Sequence, residues 1–358
     1  MAIQAKNRTE PATLCIFGDV PVPSFSVACA PDNGGASLYR GKRSIDQRFP
    51  STILEAGPRE ERHLMGKGFF LLAENTFESC YFVSRFSGEF RESPCFLGVI
   101  LAEKKPDESC LRGRESFHSE YGGRTAWNVE MDQKWSGCYQ PLSNVSRRMI
   151  QAYGVPGISV SHHTNTVFIG SDINGRIAEG LVSDICRESS PWLVSYLPKI
   201  LDPWWIELFR SRVLNCHSAV LPYARGMHAI ENLAALKDIS SFRRAAGVTI
   251  HFIDDGIDTG PIIRAERLAE PFRFESIWEL KGHLYGVGIE WYIQTVRDII
   301  RSTGTTPAGI FPRPELQGRN YLRKHFTEET KRRAEEGYLW MKSQLPQGPS
   351  RDNRRALV

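Results

Sequence analysis

Leu214-Asn215-Cys216-His217-Ser218-Ala219-Val220-Leu221-Pro222-Tyr223-Ala224-Arg225-Gly226 and, further on, Gly247-Val248-Thr249-Ile250-His251-Phe252-Ile253-Asp254-Asp255-Gly256-Ile257-Asp258-Thr259-Gly260-Pro261-Ile262-Ile263 carry the reading of the fold. An amide, an imidazole and a carboxylate each stand at the edge of an apolar run, close to turn-forming residues. Val213-Leu214 and Val248-Thr249-Ile250-His251-Phe252 read as short buried strands. Alternation along a strand puts Asn215 and His217 on one face and Cys216 on the other. Cys216 is therefore read as a small buried hydrophobe, not as a nucleophile.

Working outward, Phe69-Phe70-Leu71-Leu72, Phe96-Leu97-Gly98-Val99-Ile100-Leu101 and Trp192-Leu193-Val194-Ser195-Tyr196 are further apolar runs of strand length. Asn75 and Thr76 offer a cap for a helix through Phe82. Arg147 to Tyr153 reads as a helix stopped by Gly154 and Pro156. A helix is expected from Gly226, on the partial period of Ile230, Leu233 and Ala234. A longer one runs from Ile277 to about Ile300. Strands alternating with helices predict an α/β class: a Rossmann-like, mostly parallel sheet flanked by helices. Ligands bind such sheets at the carboxyl ends of strands, where Asn215 and His217 stand. Asp258 leaves another strand after a short loop.

The flanks are less regular. Residues 1–65 are read as an N-terminal extension, β-rich around Thr13–Phe17 and Phe25–Cys29 and punctuated by Pro and Gly. Residues 66–300 form the expected catalytic domain, and 301–358 a C-terminal region whose helix starts at the Thr327 cap. The stretch from Asp107 to Ser143 is long and polar, with Tyr121, Trp127, Trp135 and Tyr139 in it. It either packs a lid or anchors a loop.

Hydrophobic residues make up 41% and charged residues 24% of the 358 residues, a globular balance. A net charge of +4 is too small to argue for nucleic acid. Eight cysteines without a Cys-x-x-Cys pair suggest free thiols and a cytoplasmic setting. Neither a membrane span nor a signal-peptide apolar region is read, and no metal-ligand spacing is singled out.

Asn-x-His, Leu-Pro-x-x-x-Gly, Gly-Val-Thr-Ile-His and Asp-Thr-Gly-Pro form a long ordered string, with Asp258 43 positions after Asn215. The string resembles the folate-dependent formyltransferases, the family of glycinamide ribonucleotide, methionyl-tRNA and amino-sugar formyltransferases. The resemblance covers roughly 66–300 and is specific from about 192 to 265. The spacing is slightly longer than the family's, with extra residues expected around Asp238 to Arg244. The resemblance implies an enzyme using 10-formyltetrahydrofolate as donor. Asn215, His217 and Asp258 would be catalytic. Formyl transfer develops a tetrahedral oxyanion, for which Asn215 can donate two hydrogen bonds and a protonated His217 a third. Asp258 would orient the imidazole and move protons from the amine toward the leaving folate nitrogen. Lys199, Ile200 and Leu201 match a basic-Ile-Leu segment that lines the folate pocket. Asp254 and Gly256 belong to the loop that would close its other side through backbone groups.

The acceptor is read separately. Arg225, Met227, His228 and Glu231 are candidates to line its site. The 58 residues after Ile300 do not read as a tRNA-gripping barrel. The glycine-rich phosphate loop of the ribonucleotide enzymes is replaced by Leu72-Ala73-Glu74-Asn75-Thr76, a poor host for phosphate. A small-molecule amine is expected, either an amino sugar or a hydroxyornithine-like amine, with no nucleic-acid or membrane partner and a homodimer left open. A hydrolase of formyltetrahydrofolate and a non-catalytic folate-binding protein are the alternatives.

Overall fold

Phe69–Ala73 forms strand β1, and its five side chains are all buried, as a strand covered on both faces requires. The computed structural model describes residues 68–163, 165–187, 190–302 and 306–345. The expected strands around Thr13 and Phe25 lie outside these residues. Beside β1 run β2 (Phe96–Leu101), β3 (Thr166–Phe168), β4 (Trp192–Ser195), β5 (Val213–His217), β7 (Gly247–Phe252) and β8 (Ile262–Arg267). Their order is β3-β2-β1-β4-β5-β7-β8. The first five are parallel, β7 runs antiparallel to them, and β8 reverses again to run antiparallel to β7. The chain leaves β1 toward β3, then returns to lay β4 on the other side of β1. The crevice at this reversal lies above the carboxyl ends of β1, β4 and β5.

Helices cover both faces, as the sequence predicts. On one face, α5 (Arg176–Cys186) and α6 (Pro203–Leu208) bury Ala178, Val182 and Trp205 against β1, β2 and β4. On the other, α1 (Phe77–Phe90), α4 (Asn144–Tyr153) and the long α9 (Ile277–Arg301) pack on Phe69, Leu71, Leu214 and Ile250. Thr76 caps α1 by accepting from Ser79 N at 3.2 Å.

The long polar stretch after β2, for which no helix is expected, is largely helical. It folds into α2 (Glu108–Tyr121) and α3 (Val129–Ser136), capped by Asp107 and Asn128. Its aromatic residues hold it down: Trp135 stacks on Tyr139 at 3.9 Å and meets Phe77 of α1 at 5.3 Å. The segment is anchored through this cluster. His118 of α2 is buried between the Pro156 carbonyl at 2.7 Å and the Tyr139 hydroxyl at 2.8 Å. Burial pushes its imidazole down to about 4. A folded pKa below the unfolded one supplies stability that is full above about 6.5 and is lost as pH falls toward the folded value. Lowering pH from 7.5 to 4.5 is therefore expected to cost about 2 kcal/mol through this residue. Urea midpoints at both pH values should show His118→Gln losing less than wild type by that amount.

Two further departures concern the chain after Pro222. The helix expected from Gly226 starts later: α7 spans Ala229–Ala235. Arg225–Gly226 is instead a short strand, β6, paired in parallel with β9 (Asn320–Tyr321). Gly226 has φ +82, and a Cβ there would fall 2.0 Å from the Tyr321 carbonyl, so this close approach needs glycine. The extra residues near Asp238 form α8 (Ile239–Ala245). The last helix, α10 (Glu328–Ser343), begins at its expected Thr327 cap and packs on α7, where Gly337 lets the backbones meet. No helix among the described residues is long and apolar enough to cross a membrane.

Candidate active site

A cavity of about 1040 Å³ opens at the crevice. Its floor is the end of β5. Alternation brings Asn215 and His217 to the same face, and the antiparallel register sets His251 of β7 directly opposite Asn215. Asn215 Nδ2 lies 3.1 Å from His251 Nε2. His251 Nδ1 lies 2.8 Å from the Phe252 carbonyl, a contact only an Nδ1–H can satisfy. In the neutral ring Nε2 then accepts from Asn215. This fixes which way the amide points and spends one of its two N–H groups, leaving one for a ligand.

His217 is buried, and its Nε2 donates to the Ala224 carbonyl at 3.0 Å. Its Nδ1 faces Asp258 Oδ2 at 3.5 Å. Thr249 secures the loop between them, donating to the Ala219 carbonyl at 2.8 Å and accepting from Leu221 N at 3.0 Å. Burial lowers the proton affinity of His217 and prevails over the attraction of Asp258. The ring's bare Nδ1 and the carboxylate are thus two acceptors 3.5 Å apart, arranged to receive a proton. Donation from His217 to an oxyanion would have to come from Nδ1, because the Nε2 proton is spent on the backbone.

Asp258 reaches the site from a loop with φ +51, and its Oδ2 accepts from Gly226 N at 2.6 Å. Its Oδ1 lies 3.5 Å from His251 Nε2. Burial alone would raise its pKa. The attraction of the His217 and His251 rings whenever either carries a proton, with the Gly226 N–H, outweighs it and holds the carboxyl well below the usual range. Asp258 is therefore ionised at neutral pH. Cys216 points away, toward Gly288 of α9, and burial pushes its thiol up.

The cavity has two ends. At one, Lys199, Ile200 and Leu201 face the loop from Ile253 to Asp258. Ile200 is 65% exposed, while Leu201 is buried in the core beneath. Lys199 Nζ donates to the Ser171 carbonyl at 2.9 Å. Asp254 Oδ1 accepts from Gly256 N at 3.1 Å and Thr259 Oγ1 at 2.7 Å, which stiffens the loop. Among the described residues the carbonyls of Asp254, Asp255, Gly256 and Ile257 accept no hydrogen bond, so they are open to a ligand.

At the other end stand Met227, His228 and Glu231. Arg225 does not join them: its guanidinium turns to the Gly318 carbonyl at 3.5 Å, as the β6–β9 pairing dictates. His228 stacks on Phe326 with centroids 3.8 Å apart. Sequence reasoning missed His251, Lys281 and Tyr285 of α9, and the wall made by Tyr321, Arg323 and Phe326. His251 had a signal, its place in the quoted string. Lys281 had another, a charge inside the apolar stripe of Ile277, Leu280 and Leu284. The Tyr321–Phe326 wall had none.

Comparison with known proteins gives the following. Residues 186–285 match the family model described as Formyl transferase. The phosphoribosylglycinamide formyltransferase of Bacillus subtilis (strain 168) is 23% identical over 111 residues, which is 30% of this chain and 52% of that one. The enzyme of the same name from Mycobacterium tuberculosis (strain ATCC 25618 / H37Rv) is 37% identical over 65 residues, 18% of this chain and 28% of its own length. The chain thus spans about half or less of these curated relatives. A sugar N-formyltransferase structure from Shewanella sp FDAARGOS_354 is 12% identical with a TM-score of 0.42, covering 76% of this chain and 88% of that one.

Proposed function

We propose, from the premise that the chain belongs to the folate-dependent formyltransferase family, that it moves a formyl group from 10-formyltetrahydrofolate to the amine of a small molecule. The observation that carries this reading is the Asn215–His217–Asp258 constellation at one cavity, with one free amide N–H beside a proton-accepting pair. The donor's flat ring fits between the exposed Ile200 and the unspent carbonyls of the Asp254–Ile257 loop. Its formyl group then reaches the end of β5. The acceptor amine attacks the formyl carbon, and a new C–N bond forms. The free Asn215 N–H stabilises the oxyanion as it develops. The amine's proton passes to the His217 Nδ1–Asp258 pair and on to the departing folate nitrogen as the old C–N bond breaks. No covalent enzyme intermediate is needed.

The acceptor in this reading is an amino sugar or a hydroxyornithine-like amine, and the enzyme works in the cytoplasm. The replacement of a glycine-rich loop by Leu72–Thr76 supports a non-phosphorylated group at the tip of β1, where Glu74 lines the cavity.

The test is tetrahydrofolate production from 10-formyltetrahydrofolate with and without amines. Turnover that depends on amine, with a formamide product, is expected. Equal formate release without amine would make it a hydrolase, and donor binding without turnover a binding protein. Asn215→Ala is expected to lower kcat about 100-fold, the effect of losing one oxyanion donor, with a smaller change in donor affinity.

A further inference from the structure

One group of charges in the acceptor half of the cavity has no part in the transfer steps above. Lys281 and Glu231 line the cavity, yet they are only 2% and 1% exposed. Lys281 Nζ donates to Glu231 Oε2 at 3.0 Å. Glu231 Oε1 faces His228 Nδ1 at 3.4 Å. An ammonium has three N–H donors and a carboxylate about four acceptor sites. Among the described residues Lys281 spends one donor on Glu231 and rests its charge over the Tyr285 ring at 5.4 Å. The pair therefore turns both unspent donors and unspent acceptor sites toward the cavity. Buried polar groups left in that state cost stability until a ligand completes them.

We propose that the Lys281–Glu231 pair reads a hydroxyl of the acceptor near its reacting amine, and selects against an acceptor that would bring a phosphate or carboxylate there. A hydroxyl both donates and accepts, so it complements an ammonium and a carboxylate held side by side. The pair's two charges cancel, so the pair itself offers a further anion no net attraction. Glu74 works in the same direction. It is half-buried on the same cavity, where it adds a carboxylate that faces the charges of Lys199 and Arg323. The pair is also close to the chemistry, since the Lys281 charge is felt at His217. This inference rests on the transferase reading and narrows its acceptor to a polyhydroxylated amine.

The test compares aminohexoses, their deoxy analogues lacking the hydroxyl next to the amine, and glycinamide ribonucleotide as the anionic comparator. Wild type is set against the charge-balanced double variant Lys281→Met/Glu231→Leu. Tetrahydrofolate binding, read by tryptophan fluorescence, establishes that the variant folds. Wild type is expected to prefer an aminohexose over its deoxy analogue by about 100-fold in kcat/KM, and the double variant to lose that preference. A preference that survives in the double variant, or a wild type that shows none or favours the ribonucleotide, overturns the assignment. If no amine is formylated, calorimetry on the enzyme–tetrahydrofolate complex decides. Hydroxyl-dependent binding that the double variant loses would keep the pair's role while the transferase reading falls. Absence of such binding in wild type would remove the pair's role as well.

Discussion

Asp258→Asn should reduce formyl transfer by about 1000-fold while the protein stays folded, the size expected when a positioned proton acceptor is removed. The substitution is nearly isosteric. Its amide oxygen can still accept from Gly226 N, the bond that Oδ2 makes at 2.6 Å. The backbone should tolerate it too, because φ +51 is a conformation that asparagine adopts more readily than most residues. What disappears is the charge facing His217 and the acceptor site for the amine's proton. The measurement is kcat at saturating donor and acceptor, beside a thermal melt and tetrahydrofolate binding. Near-wild-type turnover would dismiss Asp258 from the mechanism. A large fall in melting temperature would instead assign the loss to folding.

The largest effect on stability is expected at Arg114, far from the chemistry in sequence. Its side chain is 1% exposed and meets Glu103 Oε1 at 2.5 Å and Oε2 at 3.0 Å. It also donates to the Cys138 carbonyl, from Nη2 at 2.9 Å and Nε at 3.1 Å. Glu103 accepts in addition from Asn75 Nδ2 at 3.0 Å. Arg114→Met takes the guanidinium from the Glu103 carboxylate and the Cys138 carbonyl and leaves both to Asn75 Nδ2, which should cost about 3 kcal/mol in urea unfolding. Adding Glu103→Leu removes the stranded charge and should recover part of that loss. The same network ties the α2–α3 segment to the turn after β1, and Gln140 to Ser143 at the end of that segment line the cavity. Arg114→Met should therefore also raise the acceptor KM. A variant as stable as wild type would show that the aromatic packing of Trp135 suffices to hold the segment.

Much of the sheet is legible in the sequence because it rests on local pattern. Phe69–Leu72 and Trp192–Ser195 are apolar runs of strand length, and such runs are buried on both faces only inside a parallel sheet. The α2–α3 segment was not legible. Its apolar contacts are a few large aromatic residues, Phe117, Tyr121, Trp127 and Trp135, set among charges, so the helical period is weak although the packing is dense. The start of α7 was misplaced for another reason: Gly226 serves a pairing with Tyr321, which no local pattern announces.

The sequence by itself determined the placement of side chains on β5. Strand alternation sends Asn215 and His217 to one face and Cys216 to the other, and the ordered string supplies Asp258. Tertiary structure alone decided what surrounds them. The antiparallel turn of β7 puts His251 against Asn215, so one amide proton is spent before any ligand arrives. Packing of α9 on α7 joins Lys281 to Glu231 across 50 positions. Return of the chain through β9 brings Arg323 and Phe326 to the cavity. Alternation is a property of neighbouring residues and can be read from them. Register and helix packing are set by contacts between distant segments, and these exist only once the chain has folded.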